Sequence, residues 1–177
     1  MLEKIRSYLL LISFIVIAGG LMLYMYVLAK GDSSMFGGSS GTLEATDFQT
    51  LTFTAGDKGY LLCDADLCSN AEADGNAEPF NIGAVSLRQI LADYTDAMPT
   101  VRTHNFDFRK SQFDFVERLP GETYPTVISV QVLPVTALSS KLVFYSYKPI
   151  GKSTAEDHHE RAERWLGALH ALAAKRR

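Results

Sequence analysis

Apolar and polar residues alternate with a period of two through residues 124–133. The alternation puts Ile128, Val130 and Val132 on one side of a strand and Ser129 and Gln131 on the other. Three further segments read the same way. Residues 100–109 carry Phe106 and Phe108 in phase, and residues 112–117 carry Phe113 and Phe115 in phase. Arg109-Lys110-Ser111 between them is short enough for a hairpin. Residues 140–148, SKLVFYSYK, give a last, mostly apolar strand, and residues 48–54, FQTLTFT, a first one rich in Thr and aromatic side chains. The period lengthens to that of a helix in two places. Leu87, Ile90, Leu91 and Tyr94 share one face, with Ser86 and Gln89 as a capping box and Pro99 as the stop. Residues 154–174 form a long amphipathic helix whose stripe is Ala162, Trp165, Leu166, Leu169 and Leu172, with His158 at its centre. Residues 64–84 lack periodicity and read as loop. Short turns such as 119–122 favour antiparallel neighbours, since parallel strands need long crossovers. The soluble part is therefore expected to be α+β, an antiparallel sheet of about five strands with two helices on one face.

The N-terminal pattern is different. Residues 8–29, YLLLISFIVIAGGLMLYMYVLA, contain no charge, and about 20 apolar residues suffice to cross a bilayer as a helix. The expectation is an N-terminal transmembrane helix anchoring the chain to membrane lipid. The competing reading is a signal peptide cleaved after Ala29, although the apolar run exceeds the usual core of such peptides. Lys4 and Arg6 precede the span, which orients the N-terminus inward and the remaining chain outside a bacterial cytoplasmic (inner) membrane. A domain facing the cytoplasm is the other topology. Residues 31–42, GDSSMFGGSSGT, are a flexible tether of about 20 Å. The division is thus 1–30 stub and anchor, 31–47 linker, and 48–177 soluble domain.

Charge narrows the partners. The 177 residues carry a net charge of −3, with 6 basic against 15 acidic residues over 31–140 and 8 against 4 over 141–177. An acidic middle with a basic end lacks the dominant basic face of a nucleic-acid module.

Candidate chemistry concentrates in residues 151–166, GKSTAEDHHERAERWL. GKST ends like a phosphate-binding loop, but Ser146 stands where that loop requires its first glycine. A helix cap explains it better, since Ser153 precedes Glu156 and Thr154 precedes Asp157 by three residues. Gly151 would permit the sharp strand-to-helix turn. His158 and His159 are adjacent, whereas a zinc pair on a helix needs positions four apart. Asp157–Arg161 and Glu160–Arg164 have the spacing of helix-surface ion pairs. Candidate ligand-binding residues are Lys152, Ser153, His158 and His159; no catalytic set, metal site or cofactor is expected. Cys63 and Cys68, in CDADLCSN, lack the spacing of redox and zinc motifs. A structural disulfide is the leading reading in an oxidising compartment, with two free thiols as the other.

Leu142-Val143-Phe144-Tyr145-Ser146, then Gly151-x-Ser153, then Arg161 and Glu163-Arg164-Trp165-Leu166 resemble a bacterial family known as domain of unknown function 1499 (DUF1499). Cys68-Ser69-Asn70-Ala71, with a Cys shortly before it, is similar to that family's Cys-containing loop. The resemblance spans residues 60–173 and is most specific at the C-terminal end. Tyr147-Lys148-Pro149 and His158-His159 depart from it, standing where the family has arginines and an Asn-Arg pair. The resemblance implies a membrane- or envelope-associated domain and transfers no activity. The functional expectation is a membrane-anchored envelope protein whose outward domain binds or scaffolds a ligand or another envelope protein without doing chemistry. The alternative is an enzyme or metal-binding domain using His158 or His159 at the strand-to-helix turn.

Overall fold

The computed structural model describes residues 13, 17–20, 22, 43–56 and 58–176. The chain divides into two units, residues 1–44 and 45–177. Within the first, the described residues are helical up to Met22.

The second unit is built on one antiparallel sheet. Its elements run β1 (Gly59–Leu62), β2 (Glu78–Phe80), α1 (Ala84–Asp96), β3 (Val101–Asp107), β4 (Gln112–Glu117), β5 (Thr126–Thr136), β6 (Ser139–Tyr147) and α2 (Ala155–Lys175). The order across the sheet is β1-β6-β5-β4-β3, and β2 pairs further along the same edge of β6. Six strands therefore stand where about five were expected. β1 lies opposite residues 144–147 of β6 and β2 opposite residues 140–142, so two short strands share one position.

Alternation sorts the sheet into two faces. Phe113 and Phe115 of β4, Ile128, Val130 and Val132 of β5, and Leu142 and Phe144 of β6 face α1 and α2. Leu87, Ile90 and Leu91 of α1 and Ala162, Trp165 and Leu169 of α2 complete this core. Burying such a set supplies the main stabilisation, at about 1.5–3 kcal/mol per large apolar side chain. The opposite face holds a smaller cluster, in which Phe48, Cys63, Cys68 and Ala77 cover Leu61 and Val143. Cys63 and Cys68 are joined as a disulfide. The α+β class and the antiparallel sheet with helices on one face follow the sequence pattern.

Four expectations are corrected. Among the described residues no helix is long and apolar enough to cross a membrane. α1 has only 13 residues and α2, with 21, carries charges along its length. Of the span expected at 8–29, only Ser13, residues 17–20 and Met22 are described, and the rest lies outside the described residues. The transmembrane helix, and the membrane and single-pass readings built on it, are therefore withdrawn. The strand expected at 48–54 does not form. Asp47 accepts from Gln49 N–H to close a turn, Phe48 drops into the second cluster, and only Phe53 bridges to a neighbour, Ala71.

The last two concern loop and cap. Residues 64–84, expected as loop, contain β2 at the edge of β6. α1 begins at Ala84 with Gly83 as an uncapped N-cap, so Ser86 and Gln89 lie inside the helix rather than forming a box. Packing sets that start: a Cβ on Gly83 would come within 2.5 Å of the Ala137 carbonyl oxygen. The turn between β5 and β6 thus needs a glycine at the head of α1.

Candidate functional site

At the end of β4 the apolar alternation of the helix-facing side gives way to polar groups. Glu117 continues the phase of Phe113 and Phe115, and Thr126 opposite it continues the phase of Ile128. On β6, Ser146 continues the phase of Leu142 and Phe144. α2 crosses this end with His158 and Arg161, both buried on the stripe that also carries Trp165. Sheet and helix therefore meet here through a buried polar layer.

Glu117 is fully buried and its carboxylate is saturated. Arg161 Nε donates to Oε2, Arg164 Nη2 donates to Oε1 at 2.9 Å and Oε2 at 2.8 Å, and Trp165 Nε1 donates to Oε1 at 3.2 Å. A buried carboxylate is tolerated only when paired and hydrogen-bonded in this way. Glu122 extends the network: its Oε1 accepts from Arg161 Nη2 at 3.0 Å and Lys148 Nζ at 3.3 Å, and its Oε2 from Leu119 N–H at 3.0 Å. Burial alone would raise the Glu122 carboxyl. The Leu119 N–H, the Arg161 guanidinium and Lys148 outweigh it and hold the group below its ordinary value.

The expected surface pairs Asp157–Arg161 and Glu160–Arg164 are replaced by this network. Arg161 is 3% exposed and turned to Glu117 and Glu122, not to solvent. A fully desolvated carboxylate is a stronger acceptor than an exposed one on the same helix, where such pairs contribute only a few tenths of a kcal/mol.

The four sequence-predicted site residues separate. Ser153 and His158 come together: His158 Nε2 lies 2.9 Å from Ser153 Oγ, and His158 Nδ1 lies 2.8 Å from Ser146 Oγ. His158 is fully buried, and its pKa is pushed down to about 4, by burial first and then by the Arg161 guanidinium, with Asp157 opposing. His159 points elsewhere. It packs on Tyr60 with ring centroids 4.8 Å apart and meets Glu163 at 3.5 Å. Lys152 is exposed in the turn that Gly151 makes possible at φ 101°. Thr154 caps α2, accepting from Asp157 N–H at 3.2 Å while its own N–H donates to Asp157 Oδ2 at 2.8 Å. Those bonds hold the Asp157 carboxyl below its ordinary value.

Between the 119–126 turn, the end of β6 and the first turns of α2 lies a cleft of about 290 Å³. Thr126, Lys148, Lys152, Ser153, Arg161 and Arg164 line it. Glu122, Asp157 and Glu160 lie on its walls as well. Lys152 and Ser153 also border a neighbouring hollow of about 450 Å³ that includes Gly151 and Thr154. Thr126 Oγ1 is the feature that sets the cleft apart. It is a fully buried hydroxyl with no hydrogen-bond partner among the described residues. Such an orphan costs about 1–3 kcal/mol unless something completes it. A larger groove of about 480 Å³ runs beside Gly83 and Leu138. Its charged group, Arg176, is already paired with Asp93, and no buried orphan faces it.

This arrangement bears on metal binding in two ways. Both nitrogens of His158 are occupied by serines, so it offers no lone pair to a metal without breaking the layer. Among the described residues no group of three His, Cys, Asp or Glu side chains is placed to hold a metal ion. Sequence reasoning missed Glu117, Thr126 and the buried role of Arg161. The signal was available in phase: a carboxylate in register with Phe113 and Phe115, and an arginine on the stripe of His158 and Trp165.

No family model matches the chain, and no curated protein matches it. Solved structures similar to it include an uncharacterized protein from Bacillus thuringiensis, 11% identical, with a TM-score of 0.45, over 56% of this chain and 96% of that one. The protein XoxI from Bacillus cereus is 10% identical, with a TM-score of 0.44, over 56% of this chain and 93% of that one. At these values neither likeness carries an argument about what this chain does.

Proposed function

We propose that residues 45–177 form a binding domain without chemistry of its own, which holds a small polar ligand in the cleft at the start of α2. The observation that carries the reading is Thr126, a residue of the cleft wall whose buried hydroxyl has no hydrogen-bond partner among the described residues. Native interiors rarely leave such a group unmet, so a ligand atom that meets it explains it. The Cys63–Cys68 bridge supports a working place in an oxidising compartment outside the cytoplasm. The resemblance to DUF1499 belongs to the same proposal, since its most specific residues lie on β6 and α2 around this cleft.

The 2.9 Å contact between Ser153 and His158 favours a second reading, a serine hydrolase. Burial weighs against it. A general base must become an imidazolium, and desolvation disfavours that charge first, with Arg161 and Lys148 adding to it against Asp157 and Glu122. The third group of the row is the Ser146 hydroxyl, not a carboxylate that would steady the charge.

The test is a panel of anionic, cationic and neutral small molecules, titrated against the full chain with Trp165 fluorescence as the readout. Trp165 is the single tryptophan and donates to the carboxylate that holds Arg161 and Arg164. A saturable response that Thr126→Val weakens is expected. Absence of any response from the whole panel, or ester or amide turnover lost in Ser153→Ala, would count against the proposal.

A further inference from the structure

The hydrogen-bond inventory of the cleft decides what kind of ligand it can take. His158 is neutral over the ordinary pH range, so its ring has one N–H and one lone pair to share between two serines. Ser146 is fully buried, and its hydroxyl makes no hydrogen bond among the described residues other than that to His158 Nδ1. Its proton must go to that lone pair, because otherwise it would be buried without an acceptor. The ring proton therefore sits on Nε2 and is donated to Ser153 Oγ. Ser153 then has its own O–H left to give, and Ser153 lines the cleft.

Donors are in surplus around the rest of the cleft. Thr126 O–H is uncommitted. Lys148 Nζ uses one of its three N–H groups, on Glu122. Lys152 forms no ion pair among the described residues. The acids are mostly spent: Glu122 accepts three bonds, Asp157 is held by the cap of α2, and Glu117 is saturated behind the wall. The Glu160 carboxylate has no hydrogen bond or ion pair among the described residues, and it is exposed to solvent at the rim. An incoming cation finds the exposed carboxylates of Asp157 and Glu160, one Asp157 oxygen being held by the helix cap, whereas an incoming acceptor finds four donors from three segments of the fold.

Resting on the cleft reading above, we propose that the ligand group is an oxyanion, the charged end of a carboxylate or a phosphate monoester. It takes the Thr126 and Ser153 hydroxyls on its buried side and Lys148 and Lys152 as its counter-charges. The first turn of α2 adds the favourable end of the helix dipole. The role of His158 is to position: it takes the Ser146 proton and returns its own to Ser153, turning Ser153 into a donor.

The experiment is isothermal titration calorimetry on the full chain with inorganic phosphate, acetate, glycerol and tetramethylammonium, at constant ionic strength. Saturable binding of phosphate, acetate or both is expected, and their relative strengths identify the source of the group. Lys152→Gln and Thr126→Val are each expected to weaken it by about tenfold, the usual scale for losing a bond to a charged group. His158→Gln should weaken it less, and thermal melting of each variant shows that it is folded. Anion binding that neither substitution changes overturns the inference, as does silence from both anions. Binding of glycerol or tetramethylammonium alone, lost in Thr126→Val, overturns the oxyanion and leaves the cleft reading standing. Silence from all four overturns both.

Discussion

A neutral histidine held between two serines makes the stability of the domain depend on pH in a direction that can be worked out. In the folded chain the His158 pKa is pushed down to about 4, by burial first, against 6.5 for the ordinary group. Between those values the unfolded chain binds the additional proton, so acid favours unfolding there. The contribution is complete above pH 6.5 and is lost as pH falls through 4. At about 1.36 kcal/mol per unit the loss is on the order of 3 kcal/mol. Urea titrations of wild type and His158→Gln at intervals from pH 7 to pH 4 are expected to converge as pH falls. Parallel curves would show that the imidazole is not the titrating group. The same residue illustrates what a pattern can show. Its place on the α2 stripe was legible, so its burial was expected; its partners, Ser146 and Ser153, were not, because nothing in sequence links a strand position to a turn across the core.

Elements are tied together by Glu117 more than by any other polar residue. It stands at the end of β4 and gathers donors from two successive turns of α2, so that helix and sheet are fixed in register at this end. Glu117→Ala leaves the buried Arg161 with only Glu122, and breaking a buried pair costs about 3–5 kcal/mol. Glu117→Gln keeps the shape and is expected to recover part of that loss. Equilibrium unfolding should rank wild type above Glu117→Gln and Glu117→Ala last. Equal stability of wild type and the alanine variant would mean that the network contributes nothing to docking of α2. The start of α2 was well legible, since Thr154 and Asp157 announce the cap five residues after Pro149. Short elements were not. β2 has three residues and exists because β6 offers an edge, and the strand pattern at 48–54 was overridden when Phe48 found a place under the sheet.

For the whole molecule the sheet's two faces have different means of cover. α1 and α2 close one face with a large apolar core, while the other is covered by residues 45–54 and the disulfide loop, a smaller cluster with little regular structure. The bridge spans only five positions, so loop closure accounts for about 2 kcal/mol. A Cys63→Ser, Cys68→Ser double variant is expected to melt lower, and reductant should lower wild type to match it without moving the variant. Insensitivity of wild type to reductant would show that the bridge does not hold this cover in place.

The amino-acid order by itself determined what local periodicity can carry: the α+β class, four strands, two helices, the cap of α2, and the apolar residues that β4, β5, β6 and the two helices turn inward, though not Phe108, which lies past the end of β3 and is exposed. Those properties follow from a period of two or 3.6 acting within a few residues of itself. Tertiary structure decided everything that depends on two distant segments meeting. It made Glu117 the acceptor for Arg161 and Arg164 in place of their helix neighbours, sent His159 to Tyr60 and away from His158, and left Thr126 buried without a partner at the cleft. A lone polar residue in phase with apolar ones states that it will be desolvated. Only the fold states what meets it there.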